Sequence, residues 1–113
     1  MNPPYAFAIT IAQPLAQAVE TLRAALAAEQ MGIVSEVDMQ ATLKAKLGID
    51  SAPQRILGVC APKVAHALVT AEPDIAALLP CGASAQEATP GQTRVLLQDP
   101  RVILTASASQ DPA

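Results

Sequence analysis

Ile56-Leu57-Gly58-Val59-Cys60-Ala61-Pro62 is the stretch on which the fold turns. A short apolar run bounded by turn formers on one side and proline on the other marks a buried strand. Pro62 has no N–H to give a sheet, and its restricted φ suits the first turn of a helix. The chain therefore leaves a strand at Cys60 and enters a helix expected to run to about Ala71, with Val64, Ala65, Leu68 and Val69 inward. Pro73-Asp74 restarts a short helical turn reaching Leu79, because an acidic residue suits the positive end of a helix dipole. Pro80 ends that turn and Cys81 opens another strand. Two Pro-flanked cysteines, Cys60-Ala61-Pro62 and Leu79-Pro80-Cys81, thus bracket one helical excursion between two strands.

Toward the N-terminus, Tyr5 to Ile11 alternates large side chains with alanine and threonine, the two-residue period of a half-buried strand. Pro14 then suits the first position of a helix expected to run to Met31. Leu15, Val19, Leu22 and Leu26 recur on one face of it, and Gly32 is the expected stop. Ile33 to Val37 reads as a second strand. Asp38 is the expected N-cap of a short helix that carries Met39, Leu43 and Leu47 toward the core, closed by Gly48. The loop from Ile49 to Gln54 contains Asp50, Ser51 and Pro53, all turn formers.

Toward the C-terminus, Cys81 to Glu87 and Gln92 to Gln98 read as strands joined by Thr89-Pro90-Gly91-Gln92. Proline followed by glycine at the centre of that tetrad fits a type II turn, and so a hairpin. Val102 to Thr105 fits an edge strand or a short helix. The expected organisation is one α+β domain over residues 1–105, with 106–113 a frayed tail. The fold class is an antiparallel sheet of four to five strands backed by helices, and no internal repeat interrupts it.

A chain of 113 residues has room for one core. Its only aromatic residues are Tyr5 and Phe7, so that core is aliphatic, with many alanines letting backbones approach closely. The formal charge is −3, and the seven Lys and Arg residues are scattered. Nucleic-acid binding needs a basic patch, so no such partner is expected. No run approaches the roughly 20 apolar residues that span a bilayer, so no membrane is expected either. Met1 to Thr10 carries no basic segment followed by an apolar one, which leaves cytoplasmic as the expected location. In that reducing compartment the two cysteines are not expected to form a permanent disulfide.

The succession Glu36-Val37-Asp38, Arg55 to Pro62, Glu72-Pro73-Asp74 and Leu78-Leu79-Pro80-Cys81 resembles the family catalogued as domain of unknown function 302, over about Leu15 to Pro100. The resemblance implies a layout similar to TATA-binding-protein-like folds and self-association, here expected as a homodimer. It implies no activity, and a shared layout with a DNA-binding fold transfers no function. Family members often carry Asn where this chain has Ala61, and many continue into a C-terminal helix.

The residues that can carry chemistry are Cys60, Cys81 and His66. Cys60 precedes a helix N-terminus, where dipole and free N–H groups stabilise a thiolate. Its apolar neighbours Val59 and Ala61 act the other way, by desolvation. Cys60 and Cys81 flank the same excursion, and a reversible disulfide closing it would contribute roughly 3 kcal/mol. His66, within two turns of Cys60, would complete a three-ligand set for zinc or copper, although the spacing matches no zinc pattern, and no metal or other cofactor is expected. Glu36 and Asp38 read as surface charge and capping. No nucleophile elbow or phosphate-cradling loop is present. The leading expectation is a binding or sensing module with a small-ligand or thiol-redox site at Cys60, His66 and Cys81. The alternatives are a cysteine-dependent enzyme and an interaction module with inert thiols.

Overall fold

The computed structural model describes residues 2–102. Five strands, β1 (Ala6–Ile11), β2 (Gly32–Asp38), β3 (Gln54–Cys60), β4 (Cys81–Thr89) and β5 (Gln92–Gln98), form one sheet in the order β1-β5-β4-β3-β2. All four pairings are antiparallel. Three α-helices, α1 (Leu15–Ala28), α2 (Met39–Leu47) and α3 (Pro62–Ala71), and a 3-10 turn at Pro73–Leu78 join them. This is the expected α+β class, with the upper of the expected strand counts. Residues 103–113, on which the frayed tail and most of the Val102–Thr105 expectation fall, lie outside the described residues. Arg101 and Val102 are helical.

The core forms between α1 and one face of the sheet. Leu15, Val19, Leu22 and Leu26, the stripe legible in the sequence, are all buried, together with Ala18. They pack against Leu57 and Val59 of β3, Ala83 and Ala85 of β4 and Val95 of β5. The alternation of each strand puts these residues on one side. Ala83 and Ala85 lie opposite Leu97 and Val95, so small residues in the middle of the sheet leave room for the leucines of α1.

The ends of α1 differ from expectation. Pro14 is the N-cap, extended at ψ 160°, and not the first helical residue. The helix stops at Ala28, three residues short of Met31. Its last carbonyls are taken by Gln30 N–H donating to Ala27 O at 3.1 Å and Met31 N–H donating to Leu26 O at 2.9 Å. Gln30 holds the left-handed position at φ 60° that this closure needs. Gly32 is free to begin β2 instead of stopping the helix.

The start of α1 has no capping side chain of its own. Glu87 supplies one from 72 residues away: Leu15 N–H donates to its Oε1 at 2.7 Å. Its Oε2 accepts from Gly91 N–H at 2.9 Å, in the β4–β5 turn where Gly91 has φ 79°. These donors, Gly91 first and Leu15 second, hold the Glu87 carboxyl below its ordinary range. A carboxylate whose native pKa is depressed adds stability above the unfolded-state value and loses it as pH falls through the native one. Glu87→Gln is therefore expected to lower the melting temperature by a few degrees at pH 7, with the gap to the parent closing under acid. A gap that stays constant down the acid limb would show that charge at Glu87 is irrelevant.

Asp38 caps α2 as expected, its Oδ1 accepting from Ala41 N–H at 2.9 Å, and Gly48 closes the helix at φ 67°. Leu47, expected inward, is exposed, and no residue of α2 is buried. The helix lies along β2 and β3 at one end of the sheet, away from α1. Glu36 binds two arginines, Arg55 at 2.7 Å and Arg23 of α1 at 3.3 Å, tying β2 to β3 and to the helix above.

The opposite face of the sheet is open. Register aligns Val37, Ile56, Ser84, Leu96 and Ala8 in one row across all five strands. Ile56 and Val37 are both more than two-fifths exposed. No described helix is long and apolar enough to cross a membrane.

Candidate functional site

Register places the two cysteines. Val59 lies opposite Cys81 on β4 and opposite Ile33 on β2, while Cys60 lies opposite Gly32. The Pro-flanked motifs therefore end β3 and begin β4 at the same end of adjacent strands. In the ladder Cys81 shares a face with Val59 and Cys60 takes the other, yet both residues line one cavity at the sheet end. Its volume is about 310 Å³, and its walls include Met31, Val59, Leu68, Leu79 and Pro80 beside the cysteines. Among the described residues Glu29 is the one charged member of the wall.

Both thiols are free and half-buried. Burial first, and the neighbouring Cys60 sulfur second, push the Cys81 thiol above its ordinary value. A thiol so placed stays protonated at neutral pH, which suits an apolar binding wall better than a standing nucleophile. Ala61, the N-cap of α3, makes no side-chain capping bond, so the polar contact that Asn would give there is absent.

The helix α3 differs from its expected packing. None of its residues is buried. Ala65 and Leu68 are half-buried against the cavity, Val64 reaches the cavity rim but is 58% exposed, and Val69 is exposed as well. The helix packs mainly on the 3-10 turn, whose Ile75 is the buried anchor, and not flat on the sheet. Its apolar stripe lines a hollow.

His66 is exposed on α3 and is not in the cavity wall; its carbonyl accepts from the Thr70 hydroxyl at 2.7 Å. The structure thus brings Cys60 and Cys81 together and leaves His66 aside. Among the described residues no group of three or more His, Cys, Asp or Glu is placed to hold a metal ion. Met31, which the periodicity placed at a helix end, stands in the wall instead. A broader hollow of about 550 Å³ lies on the open face, among Tyr5, Gln54, Ile56, Ser84, Leu96 and Gln98.

The five-stranded antiparallel sheet, one covering helix and a sheet-end cavity between Pro-flanked cysteines define a small α+β domain of the open-faced kind. The family model for the domain of unknown function DUF302 matches residues 7–113, and the chain belongs to that family. The crystal structure of an uncharacterized conserved DUF302 protein from Bacillus stearothermophilus is similar, with a TM-score of 0.82 and 22% sequence identity. That likeness covers 97% of this chain and 84% of the other and bears on the fold. Comparison with curated proteins finds no match.

Proposed function

We propose that the domain is a binding or sensing module whose site is the sheet-end cavity, with Cys60 and Cys81 in its wall. The observation that carries this reading is the convergence of both thiols on one apolar hollow. A volume of about 310 Å³ suits a small ligand. His66 stands outside the cavity wall. Self-association belongs to the same reading: the exposed row around Val37 and Ile56 is the kind of sheet face that a second copy covers. A reducing, cytoplasmic setting suits two free thiols.

Timed labelling of the native protein with a small methanethiosulfonate and with a bulky maleimide tests the cavity. In Cys60→Ser and Cys81→Ser backgrounds, the small reagent is expected to react with each remaining thiol, and the bulky one at least about tenfold more slowly than with a free cysteine. Equal, fast reaction with both reagents would mean surface thiols. No reaction until the protein unfolds would leave the cysteines as inert packing and remove the site. Sedimentation equilibrium on the same samples is expected to give a dimer, and a monomer at high concentration would remove that part of the proposal.

A further inference from the structure

Three sulfur-bearing residues gather at one end of the sheet, Cys60 and Cys81 on adjacent strands and Met31 just before a third. Met31 immediately precedes Gly32, the residue of β2 opposite Cys60, and Cys81 lies opposite Val59, the neighbour of Cys60. Adjacent strands are roughly 4.8 Å apart, and the three residues fall on successive rows with Cys60 on the face opposite Cys81, so it is the cavity at the sheet end that they share, not one row of the ladder. All three line the same cavity. Among the described residues the other walls are almost wholly aliphatic, with Glu29 the one charged member and no imidazole.

We propose that the sheet-end cavity is a soft-metal site, in which Cys60, Cys81 and Met31 bind one copper(I) ion through sulfur. This rests on the cavity reading above and names its ligand class. Thiolate and thioether donors select copper(I) among the biological first-row ions, because a soft, polarizable cation matches soft donors. Hard cations need six or more oxygens, which this wall lacks. Zinc prefers four nitrogen or sulfur ligands and would find two thiolates and one weak thioether. Copper(I) accepts two or three donors and imposes little geometry. A bridging ion also spans sulfurs that a disulfide cannot, since a direct bond demands about 2.05 Å between them.

The binding step leaves oxidation states unchanged. The ion arrives as copper(I), each thiol releases its proton to solvent as its S–Cu bond forms, and Met31 adds a lone pair. The three sulfur ligands pass from neutral to a net charge of −1 with the ion bound, Glu29 not counted.

The test is anaerobic titration of reduced protein with copper(I) against bicinchoninate as competitor, with zinc(II) in parallel. One copper(I) per chain is expected, with binding at least about 100-fold weaker in Cys60→Ser and in Cys81→Ser, and about tenfold weaker in Met31→Leu. His66→Ala is expected to bind as the parent does. Far-UV circular dichroism confirms that each variant is folded. Binding that survives the double Cys60→Ser/Cys81→Ser change, one copper per two chains, equal preference for zinc, or an unaffected Met31→Leu would each overturn the three-sulfur site. Thiols that label as a cavity predicts while copper(I) is refused would sink the metal and leave the cavity standing. Thiols that label as surface groups would sink both.

Discussion

Gly58→Ala is expected to lower stability by about 1–3 kcal/mol and to speed labelling of Cys81 at the same time. A Cβ at Gly58 would lie 2.5 Å from Pro80 Cγ and 3.3 Å from Pro80 Cβ, and closer still to Ser35 Oγ. The hydroxyl of Ser35 can rotate away at little cost. The Pro80 ring cannot, because it is held between the 3-10 turn and the start of β4. Relief therefore requires the Leu79-Pro80-Cys81 segment to lift off the sheet. Pro80 is part of the cavity wall beside Cys81, so the same movement opens the site. Urea unfolding and methanethiosulfonate labelling, the latter in a Cys60→Ser background, check the two effects. Full recovery in Gly58→Ala/Ser35→Ala would assign the clash to the serine and break the proposed link between glycine and cavity. An unchanged midpoint would show that the Pro80 segment yields freely.

Leu57→Ala is expected to cost about 2–5 kcal/mol. Leu57 is 2% exposed and belongs to the buried cluster under α1. Its cross-strand neighbour on β4 is Ala83, and the next inward residue there is Ala85. Neither alanine can extend into the space a lost isobutyl group leaves, and no aromatic side chain is available to fill it. A domain of this size has a stability of about 5–15 kcal/mol, so the variant loses a large share of it. The measurement is the urea midpoint, with the slope of the transition checked for two-state behaviour. A loss below about 1 kcal/mol would mean that α1 settles onto the sheet and closes the gap. Leu57→Met, which keeps the volume, is expected to cost much less.

Local periodicity made the sheet and α1 legible. The stripe of Leu15, Val19, Leu22 and Leu26 and the strands flanked by turn formers needed no information from afar. Features decided at a distance were not legible. Glu87 reads locally as the end of a strand, and only the folded chain brings it to the first N–H of α1. The helix α3 carries an apolar stripe that pattern alone assigns to a core, whereas the structure turns it to a hollow, because periodicity reports a face and not what the face meets. The stop of α1 escaped for another reason: Gln30 takes a conformation that sequence arguments reserve for glycine.

The cysteines were found from sequence as a pair bracketing one excursion, and register confirms that their strands are neighbours. His66 was drawn in by nearness along the chain, but α3 projects it outward. Met31 was missed because its reading as a helix residue hid its place beside Gly32.

Among the described residues the first strand of the sheet pairs with the last: β1 has β5 as its one strand neighbour. On the ribosome, where residues appear in order, Ala6–Ile11 and the apolar stripe of α1 emerge long before Gln92–Gln98. Until then β1 has no ladder to join, and Leu15 has no Glu87 to tether its helix. Assembly of the described sheet is gated by the β4–β5 hairpin, and the growing chain must keep an unpaired strand and a greasy helix from other chains until Gln92–Gln98 has emerged.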